Sequence, residues 1–411
     1  MAAAQTRVLF HPPQDPDWIY RMVGAVSEEP PLEYSKWLGH RITQIFALSP
    51  FQIELPRVTK GAIKSRSDEE ELARLDRSLA RAQEEYDRDV RRRELVCAVE
   101  GIHSCSIPYD PAKCIRSTGI LKDTTRYGYA IHPGPRPYNE DAVWVEERSV
   151  TIGGKQEPLG MFVLCDGHAS FGKGNLAIEF LREHLGDALQ AQIEAWMHPA
   201  YSPAHMRRLL KRLFIPLEKE AVHRKIQDGT TVTLGLSLLG KFWTVQLGDS
   251  GAEFQAEGGG TAVPLTESAD LTAPHYCKGV IQRGGVVVLE SSHRLSSVTL
   301  VGRILHREGE SVNWGINMAR SFGDATSVGK CAIPKITCID VSEGGTIALF
   351  SDGLTCNNSR EELSAWIRIE LLFGRGPLLS NIAEDILLNA YLGGSWDNLS
   401  VLLIRLPRKE G

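Results

Sequence analysis

The chain has 411 residues, of which 42% are hydrophobic and 24% charged, ordinary globular values that exclude wholesale disorder and a fibrous architecture. Its 46 basic and 51 acidic side chains leave a formal net charge of −5, so no global field draws it to nucleic acid or to an anionic membrane. Eight scattered cysteines without a CxxC pair read as reduced thiols of a cytoplasmic or nuclear protein, the N-terminal apolar run is too short for a signal peptide, and no stretch reaches membrane-spanning length.

Residues 1 to about 63 combine prolines with Trp18, Tyr20, Tyr34 and Trp37, too apolar for a free tail, and are expected to fold back on the main domain. Ser67 to Leu95 carries the clearest helix signal. Ser67 and Glu70 form a capping-box pattern, Asp68 to Glu71 crowd the first turn, and Arg91, Arg92 and Arg93 crowd the last. Leu72, Leu75, Leu79, Ala82 and Tyr86 make one narrow apolar stripe. Such a helix, 67–95, either forms a short coiled coil for a protein partner or lies solvated on the protein's own surface; about two heptads favour the second. Cys97, Cys105, Cys114 and His103 match no zinc-module spacing.

Glycine and proline thicken around Tyr109-Asp110-Pro111 and His132-Pro133-Gly134-Pro135, which sets a boundary near 115 to 125 and divides the chain into an extension, 1–119, and a main domain, 120–411. Beyond it, apolar residues at helical spacing predict helices over 175–196, 204–226, 360–373 and 379–391, while Thr231 to Leu238 alternates with period two. Strands flanked by helix pairs, without regular βαβ alternation, predict an α+β layered sandwich. Gly258-Gly259-Gly260 lacks the strand and helix context of a phosphate loop.

Five carboxylate turns sit at strand ends. Phe162 to Cys165 leads to Asp166-Gly167-His168, Thr346 to Phe350 leads to Ser351-Asp352-Gly353, and Phe242 to Leu247 leads to Gly248-Asp249-Ser250. Asn139-Glu140-Asp141 and Asp397-Asn398 each precede an apolar strand. In an antiparallel sheet the end of one strand lies beside the start of its neighbour, so all five can gather on one edge. One Asp-Gly taken singly is a hairpin turn. Five converging carboxylates repel unless cations neutralise them, and all-oxygen ligands suit magnesium, manganese or calcium.

With these residues assembled, the chain resembles the protein phosphatase 2C family of metal-dependent serine/threonine phosphatases over roughly 120 to 406. The motifs run in the family's order: Arg136-Pro-Tyr-Asn139-Glu140-Asp141, Asp166-Gly167-His168, Asp228-Gly229-Thr230-Thr231, Gly248-Asp249-Ser250, Ala319-Arg320-Ser321-Phe322-Gly323-Asp324, Ser351-Asp352-Gly353 and Asp397-Asn398-Leu399-Ser400-Val401. Leu265-Thr266 and Gly284-Gly285 fall between them. The resemblance implies a four-layer αββα sandwich, two antiparallel sheets flanked by helix pairs, with two Mg2+ or Mn2+ ions at one end. It implies that Asp166 bridges the metals, that the Gly167 carbonyl, Asp352 and Asp397 complete direct ligation, that Glu140 and Asp141 hold metal-bound waters, and that Asp249 supports a third ion. Arg136 matches the arginine that grips substrate phosphate, and His168 the general acid for the departing alkoxide. The implied reaction is hydrolysis of phosphoserine and phosphothreonine in phosphorylated protein substrates by direct attack of a metal-bridging water, with a role in signalling.

The family's two glycines after Asp-Gly-His are Ala169-Ser170 here, its arginine after Gly-Asp-Ser is Gly251, and its tryptophan-acid pair after Ser-Asp-Gly-Leu is Thr355-Cys356. Val286 to Asn317 is long where the family carries a flap beside the site. Two readings follow: an active phosphatase, or a pseudophosphatase that keeps the fold as a binding or regulatory module with helix 67–95 as its arm. Retention of Arg136 and of every acidic ligand favours the enzyme. A nuclease also uses clustered acids, but neither a basic surface signal nor the motif order supports one.

Overall fold

The computed structural model describes residues 7–10 and 109–408, apart from 123–124, 169–174, 197–201, 258–261, 295–296, 309–310, 341–343, 357–358 and 374–377. The expected helix 67–95, the aromatic residues 18–37 and the Ala169-Ser170 step lie outside them. The described residues form two compact units, one of 7–10, 269–319 and 326–331, the other of 109–268, 320–325 and 332–408.

The strands, in chain order, are β1 (Arg7–Phe10), β2 (Ile115–Ile120), β3 (Arg126–His132), β4 (Asp141–Ile152), β5 (Lys155–His168), β6 (Gly229–Thr230), β7 (Val232–Leu238), β8 (Lys241–Leu247), β9 (Gly251–Ala256), β10 (Val263–Pro264), β11 (Val287–Arg294), β12 (Ser297–Glu308), β13 (Ser311–Trp314), β14 (Phe322–Gly323), β15 (Lys335–Asp340), β16 (Gly345–Phe350) and β17 (Leu399–Leu406). The helices are α1 (Leu176–Trp196), α2 (Pro203–His223), α3 (Pro274–Gln282), α4 (Arg360–Phe373) and α5 (Leu379–Leu392).

The larger unit is a mixed α/β fold built on two antiparallel sheets. One runs β10-β9-β16-β17-β3-β2; the other runs β14-β6-β5-β7-β8-β15, with β4 paired to β5. Period-two alternation divides each strand between two cores. On β17, Leu402 and Ile404 join Ile347 and Leu349 of the same sheet and Val143, Phe162, Leu164 and Phe242 of the other in one buried cluster. Val401 and Leu403 instead pack with Leu363 and Ile367 of α4 and Ile382 and Ile386 of α5. The opposite face of the second sheet, with Met161, Val163, Cys165 and Trp243, packs against α1 and α2 through Leu181, Leu185, Leu210 and Phe214. Each such large side chain contributes about 1.5–3 kcal/mol on burial.

β4 and β5 run well past their apolar stretches, at 12 and 14 residues, because polar residues continue the ladder to a tight hairpin at Gly153-Gly154. Both glycines have positive φ, 59° and 81°, as the strand twist demands of such a turn. Local chemistry also fixes the helix starts. Ser202 caps α2 ahead of Pro203, Ser359 and Glu362 form a reciprocal capping box at α4, and the first N–H of α1 donates to the Asp228 carboxylate at 2.8 Å. No helix among the described residues is long and apolar enough to cross a membrane.

The smaller unit has an antiparallel sheet of order β1-β11-β12-β13 and one helix, α3, around a core of Leu271, Tyr276, Cys277, Val280, Val287 and Ile304. The long segment from Val286 to Asn317 supplies three of its strands, and Arg7–Phe10 adds the fourth.

Candidate functional site

The site residues expected from the sequence fall in the larger unit, the carboxylates, Gly167 and His168 at or next to strand ends and Arg136 in the loop between β3 and β4. Asp141 begins β4 and stands opposite Asp166 near the end of β5, so the hairpin register alone sets two carboxylates side by side. The Gly167 N–H donates to the Glu140 carbonyl at 3.0 Å, closing the same corner. Asp352 opens a single 3-10 turn after β16, Asp249 follows β8, and Asp397 precedes β17.

The five aspartates come together electrostatically. Asp166 is held well above the usual carboxylate range, first by burial and then by Asp141, Asp352, Asp397 and Asp249. Burial, with Asp352 adding to it and Ser400, Ser351 and Arg136 opposing, raises Asp141 to about 6. Burial and Asp352, opposed by Arg136, raise Asp397 to about 7. Both Asp141 oxygens are buried without a hydrogen bond of good geometry, the Ser351 and Ser400 hydroxyls being near enough only to oppose the rise of its pKa. A buried carboxylate so poorly supplied with donors, among others that repel it, has the chemistry of a cation ligand. As placed, no three His, Cys, Asp or Glu side chains among the described residues are close enough together to hold an ion. At this edge Arg136 Nη2 donates to Asp397 Oδ2 at 2.7 Å.

Sequence motifs of no obvious chemistry hold this edge in place. Asn398 accepts from the Glu140 N–H at 2.9 Å and donates to the Pro133 and Tyr138 carbonyls, both at 2.8 Å, so one side chain anchors the loop that carries Arg136 and Glu140. The Thr231 hydroxyl accepts from the Asp166 N–H at 3.0 Å, and the Thr230 hydroxyl donates to the Asp166 carbonyl at 3.0 Å. At Gly353 a Cβ would strike the Asn398 carbonyl, which is why a glycine follows Asp352. Trp396 lies 5.7 Å from the Arg136 guanidinium.

His168 ends β5 and its Nε2 lies 2.8 Å from Asp324 Oδ2, a partner quoted within a motif but given no role by the sequence. Burial alone would lower the His168 pKa; the Asp324 carboxylate, helped by Asp249 and Glu140, overrides it and the pKa is raised. Cys165, beside Asp166, is fully buried among α1 and α2 residues, and burial raises its thiol. The departures from the family pattern fit locally. A Cβ at position 251 would strike the Phe350 ring, so a larger side chain there requires the ring to move. Thr355 donates to the Asp352 carbonyl at 3.1 Å, and the Cys356 thiol lies 3.2 Å from the Ser395 hydroxyl, closing the turn behind Asp352.

No family model matches the chain. In sequence it is similar to a rice (Oryza sativa subsp. japonica) protein, "Probable protein phosphatase 2C 55", at 28% identity over 190 residues, 45% of this chain and 46% of that protein. The chain spans about half the length of the curated relatives it matches. In structure it is similar to the serine-threonine phosphatase 2C of Toxoplasma gondii, with a TM-score of 0.53 at 16% identity over 71% of this chain and 99% of that one. The fold is that of the protein phosphatase 2C family. A second neighbour in shape, a C. elegans sex determining protein, gives a TM-score of 0.50 at 16% identity over 92% of this chain and 83% of that one.

Proposed function

We propose that this chain is a metal-dependent protein serine/threonine phosphatase that hydrolyses phosphoserine and phosphothreonine in protein substrates. The observation that carries the reading is Asp166, buried at the end of β5 in register with Asp141 and raised by four neighbouring aspartates within a 2C-type fold. The three buried clusters support a four-layer αββα sandwich for this unit; residues 120–411 as the catalytic domain, preceded by the extension 1–119, are the reading that the order of the motifs suggests.

Asp166, the Gly167 carbonyl, Asp352 and Asp397 would hold two Mg2+ or Mn2+ ions directly, Glu140 and Asp141 would do so through water, and Asp249 would serve a third. Such ions, when bound, neutralise the carboxylates, acidify a water for attack on phosphorus and absorb charge on the phosphoryl oxygens. The protein's own part is positional. Arg136 presents a guanidinium fork that matches phosphate oxygens, and its present bond to Asp397 shows how close to the acidic edge it reaches. Phosphate at Arg136 would replace the carboxylate that Arg136 now holds, and a cation at Asp397 would replace the guanidinium that Asp397 now holds. His168 has Nε2 engaged by Asp324 and Nδ1 buried without a partner, so Nδ1 is the nitrogen left to give a proton to the departing alkoxide.

The test is phosphate release from a phosphothreonine peptide with manganese or magnesium, against Asp166→Asn and Asp352→Asn. Metal-dependent turnover lost in both variants is the expected result; an intact chain that releases no phosphate with either ion overturns the reading.

A further inference from the structure

We propose that Asp324 is the positioning residue of His168, fixing which imidazole nitrogen faces the leaving group. This deepens the phosphatase reading and rests on it.

Asp324 lies 156 residues from His168 in sequence, yet its Oδ2 is 2.8 Å from Nε2. Its side chain is 4% exposed and that of His168 24%, so the contact is the closed end of a partly open site. The same Oδ2 accepts from the Ser321 hydroxyl at 2.6 Å, and the Asp324 N–H donates to the Asp228 carbonyl at 3.0 Å. Two very short strands set the distance. β6 pairs with β5 through Gly229 opposite His168, and with β14 through Gly229 opposite Gly323, so one glycine registers both partners. A Cβ at Gly229 would strike the Asp324 carboxylate; only glycine leaves the passage open.

The backbone is strained to the same end. Asp324 has φ 50°, following Gly323 at φ 81°. A non-glycine residue in the left-handed region is uncommon, and aspartate is among the few that tolerate it. A turn needing only shape would be satisfied by glycine or asparagine. Here a second residue, Ser321, fixes the carboxylate's rotation as well.

A carboxylate accepting from Nε2 settles the ring's orientation and leaves Nδ1 as the nitrogen available for proton transfer. Without that grip the imidazole is free to turn, and the gain from a well-placed acid, about 10²- to 10⁴-fold, is lost in proportion. A merely structural Asp324 would affect every substrate alike.

The leaving group separates the two roles. Threonine alkoxide needs a proton as it departs; p-nitrophenolate does not. In the full chain with manganese, Asp324→Asn is expected to lower kcat on a phosphothreonine peptide by about 10²-fold or more, the lower end of the general-acid range, with KM little changed. On p-nitrophenyl phosphate the same variant should stay within about threefold of the parent, because no acid is required there. His168→Ala should show the same selectivity, and the double variant should lose no more than His168→Ala alone. Equal losses on both substrates, no loss on the peptide, or losses that multiply in the double variant overturn the proposal. If Asp324→Asn fails to fold by its melting curve, Ser321→Ala keeps the carboxylate and should show a smaller loss with the same preference; a loss equal on both substrates overturns the proposal equally. A parent chain inactive on both substrates overturns the phosphatase reading itself, an outcome distinct from any of these.

Discussion

The Arg136 guanidinium donates to Asp397 at 2.7 Å, tying the proposed phosphate-gripping residue to a proposed metal ligand. The pair sits within the acidic cluster, where Arg136 opposes the rise of Asp397 and Asp141. Substituting Arg136→Ala is expected to lower kcat/KM for a phosphothreonine peptide roughly 10- to 150-fold, from about 1.5–3 kcal/mol for a charged hydrogen bond. Arg136→Lys should recover only part of this, since an ammonium lacks the fork. Steady-state kinetics decide; an unaltered KM and kcat in the alanine variant would remove phosphate binding from Arg136.

The acidic cluster predicts a pH dependence of stability in metal-free protein. Asp141 and Asp397 are raised from 3.8 to about 6 and about 7. An acid with a folded pKa above its unfolded one contributes stability that is fully present below the unfolded value and lost as pH rises through the folded value. The melting temperature of chelator-treated protein should therefore fall as pH climbs from about 4 to about 7, and Asp141→Asn should flatten the slope. Manganese should restore the melting temperature most at the upper end. A melting temperature that rises across this window and ignores the substitution contradicts the cluster.

Asn398 anchors the loop that carries Arg136 and Glu140 with three hydrogen bonds. Asn398→Ala leaves the Glu140 N–H and two carbonyls without their partner, at a cost of about 1–3 kcal/mol by denaturant titration. Activity should fall further than stability explains, because Arg136 and Glu140 shift together. Full activity in a destabilised variant would show that the loop keeps its place without Asn398.

Gly251 stands where the family has arginine, against the buried ring of Phe350 in the paired strand. Gly251→Ala should destabilise by about 1–3 kcal/mol through overpacking, and Phe350→Leu in the same chain should recover part of it. An alanine variant as stable as the parent would mean that the ring moves aside freely.

Much of the site is legible in the sequence, because an apolar run ending in a turn that carries an aspartate marks a strand delivering a carboxylate to its end. Asp166 and Asp352, each followed by glycine, and Asp249, in Gly248-Asp249-Ser250, are of this kind, and antiparallel pairing brings Asp141 and Asp397 to them. The helix limits at 360–373 and at Trp196 follow from apolar spacing. The 1–119 and 120–411 division is not visible in the same way, for the second compact unit is drawn from 269–319 and 326–331 as well as 7–10. Its strands β11 to β13 interleave apolar residues with Gly302, Arg303 and paired serines, which gives no single period. Asp324 and Asn398 are legible as motif members but not as partners, since contacts across 156 and 258 residues leave no pattern in the chain. The ion pair of Arg136 with Asp397 is likewise a product of packing.

The central claim is that the carboxylates around Asp166 form a divalent-cation site, and titration calorimetry of manganese into the chelator-treated chain at neutral pH tests it without reference to turnover. The predicted result is saturable binding in the parent that is lost in Asp166→Asn while the variant keeps a cooperative melting transition. No binding in the parent, or binding that survives Asp166→Asn unchanged, would contradict it.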